Sequence, residues 1–78
     1  VTIDHDAGRP VWQQLADILR AMIESGEIAP GKLLPSQRTL MQRYEISDGT
    51  VKRAVAKLRE EGLVETETGR GVYVRERS

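Results

Sequence analysis

Two groups of residues in this 78-residue chain have types and spacing that could do chemistry. Between Arg38 and Lys57 stand five basic side chains, Arg38, Arg43, Lys52, Arg53 and Lys57, against two acids, Glu45 and Asp48. Further on, Arg70 sits between Gly69 and Gly71. Guanidinium and ammonium groups donate charge-assisted hydrogen bonds and neutralise phosphates. The chemistry they suit is recognition of a polyanion. Bond making lacks its parts. His5 is the single histidine of the sequence and cysteine is absent, so there is no Ser-His-acid set and no thiolate metal site. No enzyme, cofactor or metal is expected.

The whole chain carries 12 basic and 12 acidic side chains, a formal net charge of zero. That balance argues against a strong, indiscriminate nucleic-acid binder. The distribution matters more. Asp4, Asp6, Asp17, Glu24 and Glu27 precede the basic window, and Glu60, Glu61, Glu65 and Glu67 follow it. The polarity is therefore local. No apolar run approaches the length of a membrane helix, so no membrane partner is expected. The opening Val1-Thr2-Ile3-Asp4 lacks the basic-then-apolar order of a signal peptide, and a cytoplasmic location is expected.

The elements that must position these residues fit one small domain. Residues 1–9 read as a lead-in whose Val1-Thr2-Ile3 could add a short strand, followed by a turn ending at Pro10. Val11, Leu15, Ile18 and Met22 recur at helical spacing and predict a first helix over 11–25, with Trp12 as a core-edge or interface anchor. Leu33 and Leu34 should return the following connector to the core. Ser36 suits the N-cap of a short helix over 36–44, and Ser47 that of a third over about 48–61. Two capped helices joined by three or four residues make a helix-turn-helix. After Gly62 the period changes: 63–67 and 72–75 are β-type segments around Thr68-Gly69-Arg70-Gly71, a hairpin turn. Leu63, Val72 and Val74 should face the helices. The expected fold is mainly α with a small β hairpin, a winged helix-turn-helix, over residues 10–75. Residues 76–78 are a tail toward a C-terminal region.

In that fold the third helix enters the major groove and leads with its N-terminal residues. With Val51, Ala54, Val55 and Leu58 packed inward, Thr50, Lys52, Arg53 and Lys57 are left toward solvent. Thr50 is expected on a base or phosphate, Lys52 and Arg53 on phosphate. Arg38 lies in the first turn of the second helix, where the helix dipole disfavours a cation; an anionic ligand supplies the missing reason. Arg70 on a glycine-flanked tip can enter the minor groove.

The chain resembles the N-terminal domain of GntR-family transcriptional regulators. The matching stretches are Pro10-Val11-Trp12-Gln13-Gln14-Leu15, residues 23–31, Leu34-Pro35-Ser36-Gln37-Arg38, Thr50-Val51-Lys52-Arg53-Ala54-Val55, residues 58–64 and Gly69-Arg70-Gly71. The resemblance implies a repressor that binds a roughly palindromic operator in double-stranded DNA as a homodimer. A small-molecule effector would bind a C-terminal domain outside this chain. Carried onto this sequence, it places DNA contacts at Ser36, Arg38, Ser47, Gly49, Thr50, Lys52, Gly69, Arg70 and Gly71. Three positions depart from the family pattern. Gln37 replaces its usual glutamate, Asp48 stands where an arginine is usual, and Gly49 offers no side chain to a base. Asp48 could accept from a cytosine amino group, stabilise the helix N-terminus, or repel the DNA backbone.

A competing reading keeps the fold and drops the DNA: a winged-helix protein-interaction module. Neutral charge and Asp48 favour it. Arg38, Lys52, Arg53 and Arg70 on one expected surface argue against it.

Overall fold

The computed structural model describes Ile3 and residues 8–76. Three helices are followed by a two-stranded antiparallel hairpin: α1 Val11–Glu24, α2 Gln37–Tyr44, α3 Asp48–Glu60, β1 Val64–Glu67 and β2 Gly71–Val74. The expected N-terminal strand falls largely on Val1 and Thr2, which lie outside the described residues. So do residues 4–7 of the predicted turn and residues 77–78 of the tail. Ile3 itself is buried in the core.

Each helix starts where local chemistry supplies a start. Pro10 precedes α1, and its carbonyl accepts from the N–H groups of Gln13 and Gln14. Ser36 and Ser47 cap α2 and α3: their hydroxyls accept from the backbone N–H of Thr39 at 3.1 Å and of Thr50 at 3.2 Å. Such a cap is worth about 1 kcal/mol. Residue 45 makes the sharp turn between α2 and α3 with a left-handed backbone, φ 53° and ψ 53°. Ile46 then packs half-buried against the core, and the chain re-enters a helix after three residues.

The core is where these elements meet. Leu15 and Leu19 of α1, Leu40 of α2, and Val51, Ala54 and Leu58 of α3 are buried together with Val64 and Val74 of the hairpin. Across the hairpin Val64 pairs with Val74 and Thr66 with Val72, which sets one face of the ribbon toward the helices. β1 starts one residue later than expected. Leu63 packs half-buried against the core just ahead of it, as expected, and Val64 is the fully buried residue of the strand. Strand alternation decides it, because residue 64 faces residue 74 across the ribbon.

The connector corrects a second expectation. Leu34 is buried, but Leu33 is 46% exposed. The segment 31–34 runs along the free edge of β2. Gly31 N–H donates to the Val74 carbonyl at 2.8 Å, Val74 N–H to the Lys32 carbonyl at 2.9 Å, and Leu34 N–H to the Val72 carbonyl at 2.8 Å. An extended segment sends neighbouring side chains to opposite faces, so only one of the two leucines can turn inward. The same pairing covers an edge that a bare hairpin would leave open, and it ties the wing to the start of α2.

Candidate nucleic-acid interface

The solvent stripe of α3 follows from its buried one. Val51, Ala54, Val55 and Leu58 face inward, leaving Gly49, Lys52, Arg53, Ala56, Arg59 and the acidic Glu60 exposed. These recur three and four residues apart, so they form one face of the helix. Lys52 and Arg53 lie on it as expected. Thr50 and Lys57 do not: both are half-buried at its flank. The Thr50 hydroxyl is 2.9 Å from that of Ser47, inside the cap.

A groove of about 440 Å³ runs between α3, the start of α2 and the wing. Ser36, Gln37, Lys52, Arg59, Arg70 and Gly71 line it, over an apolar floor that includes Leu40 and Val55. Residues from three elements, 35 positions apart in the chain from Ser36 to Gly71, therefore share one concavity. Arg38 lies outside it, in an adjoining shallow concavity with Gln37, Met41 and Gln42. Gln37 lines both and joins them. Ser47, Asp48 and Gly49 form the head of α3 and do not line the groove.

The wing tip is built for close approach. Arg70 N–H donates to the Glu67 carbonyl at 3.1 Å, closing a tight turn. Gly69 and Gly71 on either side have φ of 85° and 106°, which L side chains rarely adopt. The arginine is thereby fixed at the exposed apex with no Cβ beside it. Tyr73 and Glu65 lie on the outer face of the ribbon, where the Tyr73 hydroxyl donates to the Glu65 carboxylate at 2.8 Å. That bond holds the phenol above its ordinary value, because the neighbouring carboxylate disfavours a phenolate.

The cations of this surface are held in different ways. The Lys52 ammonium pairs with the Asp48 carboxylate at 3.2 Å, one helical turn back. The Arg70 guanidinium pairs with Glu67 at 3.3 Å. The Arg53 guanidinium carbon lies 4.6 Å from the centre of the Trp12 ring, a cation–π contact between α3 and the start of α1. Trp12 is thus the anchor expected of it, and its partner is one of the interface cations. Arg38 is exposed and makes no ion pair among the described residues.

Two members of this surface were missed from the sequence. Arg59 is seven residues beyond Lys52, two helical turns along the same face, and that spacing alone could have placed it. Gln37 had been noted for its type and not for its position between two concavities.

Comparison with known proteins agrees with this architecture. Residues 12–74 match the model of the bacterial regulatory proteins of the gntR family. The chain is 37% identical over 68 residues to the mannosyl-D-glycerate transport/metabolism system repressor MngR of Escherichia coli, covering 87% of this chain and 28% of MngR. It thus spans less than a third of that relative's length. Among solved structures it superposes on YtrA from Sulfolobus acidocaldarius, a GntR-family transcription factor, with a TM-score of 0.90 and 31% identity over all of this chain and 82% of that one. It also superposes on AraR(DBD) in complex with operator ORX1, with a TM-score of 0.82 and 29% identity over 85% of this chain and 80% of that one. No helix among the described residues is long and apolar enough to cross a membrane. A three-helix domain with a paired wing, matched along nearly its whole length, belongs to the gntR family of bacterial regulatory proteins.

Proposed function

We propose that this chain is the operator-reading domain of a bacterial transcriptional repressor that binds double-stranded DNA. The full-length protein would act in the cytoplasm as a homodimer on a palindromic site, with a small-molecule effector bound by a C-terminal domain. The observation that carries the reading is the single groove shared by the start of α2, the Lys52–Arg59 edge of α3 and the wing. AraR(DBD), a domain of the same shape, was solved on operator DNA and supports it.

The roles follow from position. Ser36 and Arg38 at the start of α2, with Lys52 and Arg53 on α3, engage phosphates. Ser47, Asp48, Gly49 and Thr50 form the head of α3 and approach base edges in the major groove. Gly69, Arg70 and Gly71 bring a guanidinium to the minor groove, whose negative potential attracts it.

Titration of a labelled duplex at two salt concentrations tests this. Affinity should fall steeply with salt, because each phosphate contact releases a counterion. Arg38→Ala and Arg70→Ala should each weaken binding about tenfold or more, the scale of a lost charge-assisted hydrogen bond. A flat salt response, or no binding at about 100 μM, the weak end of non-specific association, would turn the assignment to a protein-interaction module. The neutral net charge is the observation that favours that alternative.

A further inference from the structure

Two of the interface cations bring their own anions. Lys52 is paired with Asp48 four residues earlier, and Arg70 with Glu67 three residues earlier. Both pairs are exposed, with side-chain exposures of 67% and 50% in the first and 59% and 46% in the second. Both lie within one element or one turn, so neither ties distant parts of the fold together. Pairs of this kind contribute little to stability and exchange readily with solvent ions. Their position is what distinguishes them, because Lys52 and Arg70 line the same groove from two sides.

We propose that Asp48 and Glu67 are built-in counterions that occupy Lys52 and Arg70 in the free domain and thereby suppress sequence-independent DNA binding. This rests on the DNA-binding reading above and adds residues that determine specificity within it. A phosphate that recruits Lys52 or Arg70 must displace a carboxylate, which then sits beside a polyanion. Non-specific binding is supplied almost entirely by such phosphate contacts, so it carries the full penalty. A cognate site offsets part of it. Base amino groups in the major groove donate hydrogen bonds, and a displaced Asp48 carboxylate at the head of α3 is a suitable acceptor. Asp48 Oδ2 faces Lys52, while Oδ1 is buried with no hydrogen-bond partner among the described residues, so it is the carboxylate freed from Lys52 and turned outward that could meet a base. Asp48 also favours the helix dipole at the start of α3. Glu67 lies in a strand and has no such second reason, which makes it the cleaner test.

The experiment compares the wild-type domain with Glu67→Gln, Asp48→Asn, the double variant and Glu24→Gln on random-sequence duplex and on a duplex selected from a random pool. Each is measured at two salt concentrations, with melting curves to confirm folding. Glu24 lies on α1, which does not line the groove, and controls for net charge. Glu67→Gln and Asp48→Asn should each tighten random-duplex binding about two- to fivefold, the range set by an exposed pair. The salt slope should steepen by up to about 0.9 for each released cation. Asp48→Asn should gain less on the selected duplex, so its ratio of selected to random affinity falls. Unchanged or weaker random-duplex binding by both folded variants overturns the proposal. So does an equal gain from Glu24→Gln, since net charge alone would then explain it. Failure of the wild type to bind any duplex at either salt overturns the DNA-binding reading itself, a distinct result.

Discussion

Arginines and lysines do opposite work on two sides of this domain. On the side of α1, Arg20 donates to both carboxylate oxygens of Glu61 at 2.8 and 2.6 Å and to Asp17 at 2.6 Å. Asp17 in turn pairs with Arg9. Arg20 and Glu61 are 41 residues apart in sequence and both about three-quarters covered, so the pair fastens α1 to the end of α3. Arg9 first and Arg20 second hold the Asp17 carboxyl below its ordinary value, Arg20 does the same for Glu61, and the two carboxylates raise Arg20. On the groove side, Lys52–Asp48 and Arg70–Glu67 are single contacts at 3.2 and 3.3 Å between near neighbours in sequence. A bidentate, sequence-distant pair holds tertiary structure, whereas a single, sequence-local one keeps a charge available for a ligand.

The largest effect should come from the core that carries both sides. Leu58 is fully buried where α3 meets the rest of the fold. Leu58→Ala should cost about 2–5 kcal/mol. A domain this size has roughly 4–12 kcal/mol in total, so the loss is a large share. Denaturant unfolding measures it, and duplex binding should fall only with the folded fraction. Arg38→Ala should do the reverse, leaving the unfolding midpoint in place while binding falls. A variant of Leu58 that stays folded and loses binding would show that the core sets the geometry of the reading head directly.

Arg20→Ala tests the fastened side. It should lower stability by about 1–2 kcal/mol, a partly covered bidentate pair with a second carboxylate attached. That corresponds to a fall in melting temperature of several degrees. Duplex affinity below the transition should not change. The pH dependence has a definite sign. Because the folded protein depresses Asp17 and Glu61, their stabilisation is complete above their ordinary values of 3.8 and 4.5 and is lost as pH falls through the depressed ones. The wild type should therefore lose stability below about pH 4, and Arg20→Ala should lose less over the same interval. Melting scans from pH 3 to pH 7 would show it. Equal acid sensitivity in both proteins would mean that the Arg20 contacts contribute nothing, since the Arg9–Asp17 pair remains in both.

What could be read from the sequence divides along the same line. Ser36 and Ser47 announced their helices because capping is a contact between residues three apart. The hairpin announced itself through Gly69 and Gly71. The Lys52–Asp48 pair was also within reach, as an i, i+4 spacing, but Asp48 reads first as a partner for DNA or for the dipole of its own helix and not for Lys52. The rest depended on contacts that no local pattern encodes. Arg53 finds Trp12 only after α1 and α3 have packed. Leu33 is turned outward by an edge pairing with β2, more than 35 residues away. Val64 is buried more completely than Leu63 because of its register with Val74. Two adjacent apolar residues do not say which one faces inward; a partner strand does.

The smallest effect should come from the turn that sets α3 relative to α2. Glu45 has φ 53°, the one positive φ at a non-glycine among the described residues. Its N–H donates to the Met41 carbonyl, and so does that of Ile46 at 3.1 Å, so the backbone is held in place from two sides. An L-residue in this conformation costs about 1–2 kcal/mol, while glycine there costs about 0.5–1 kcal/mol in lost chain freedom. Glu45→Gly should therefore stabilise the domain by roughly 0.5–1 kcal/mol and raise its melting temperature by a few degrees. The Glu45 side chain is exposed and lines neither the groove nor the Arg38 concavity. Salt-dependent duplex binding should change only as far as one removed negative charge dictates, by less than about twofold. A stabilised variant that binds DNA much more weakly would show that strain at Glu45 sets the angle between the two helices. The division between a fastened side and a reading side would then fail at residue 45.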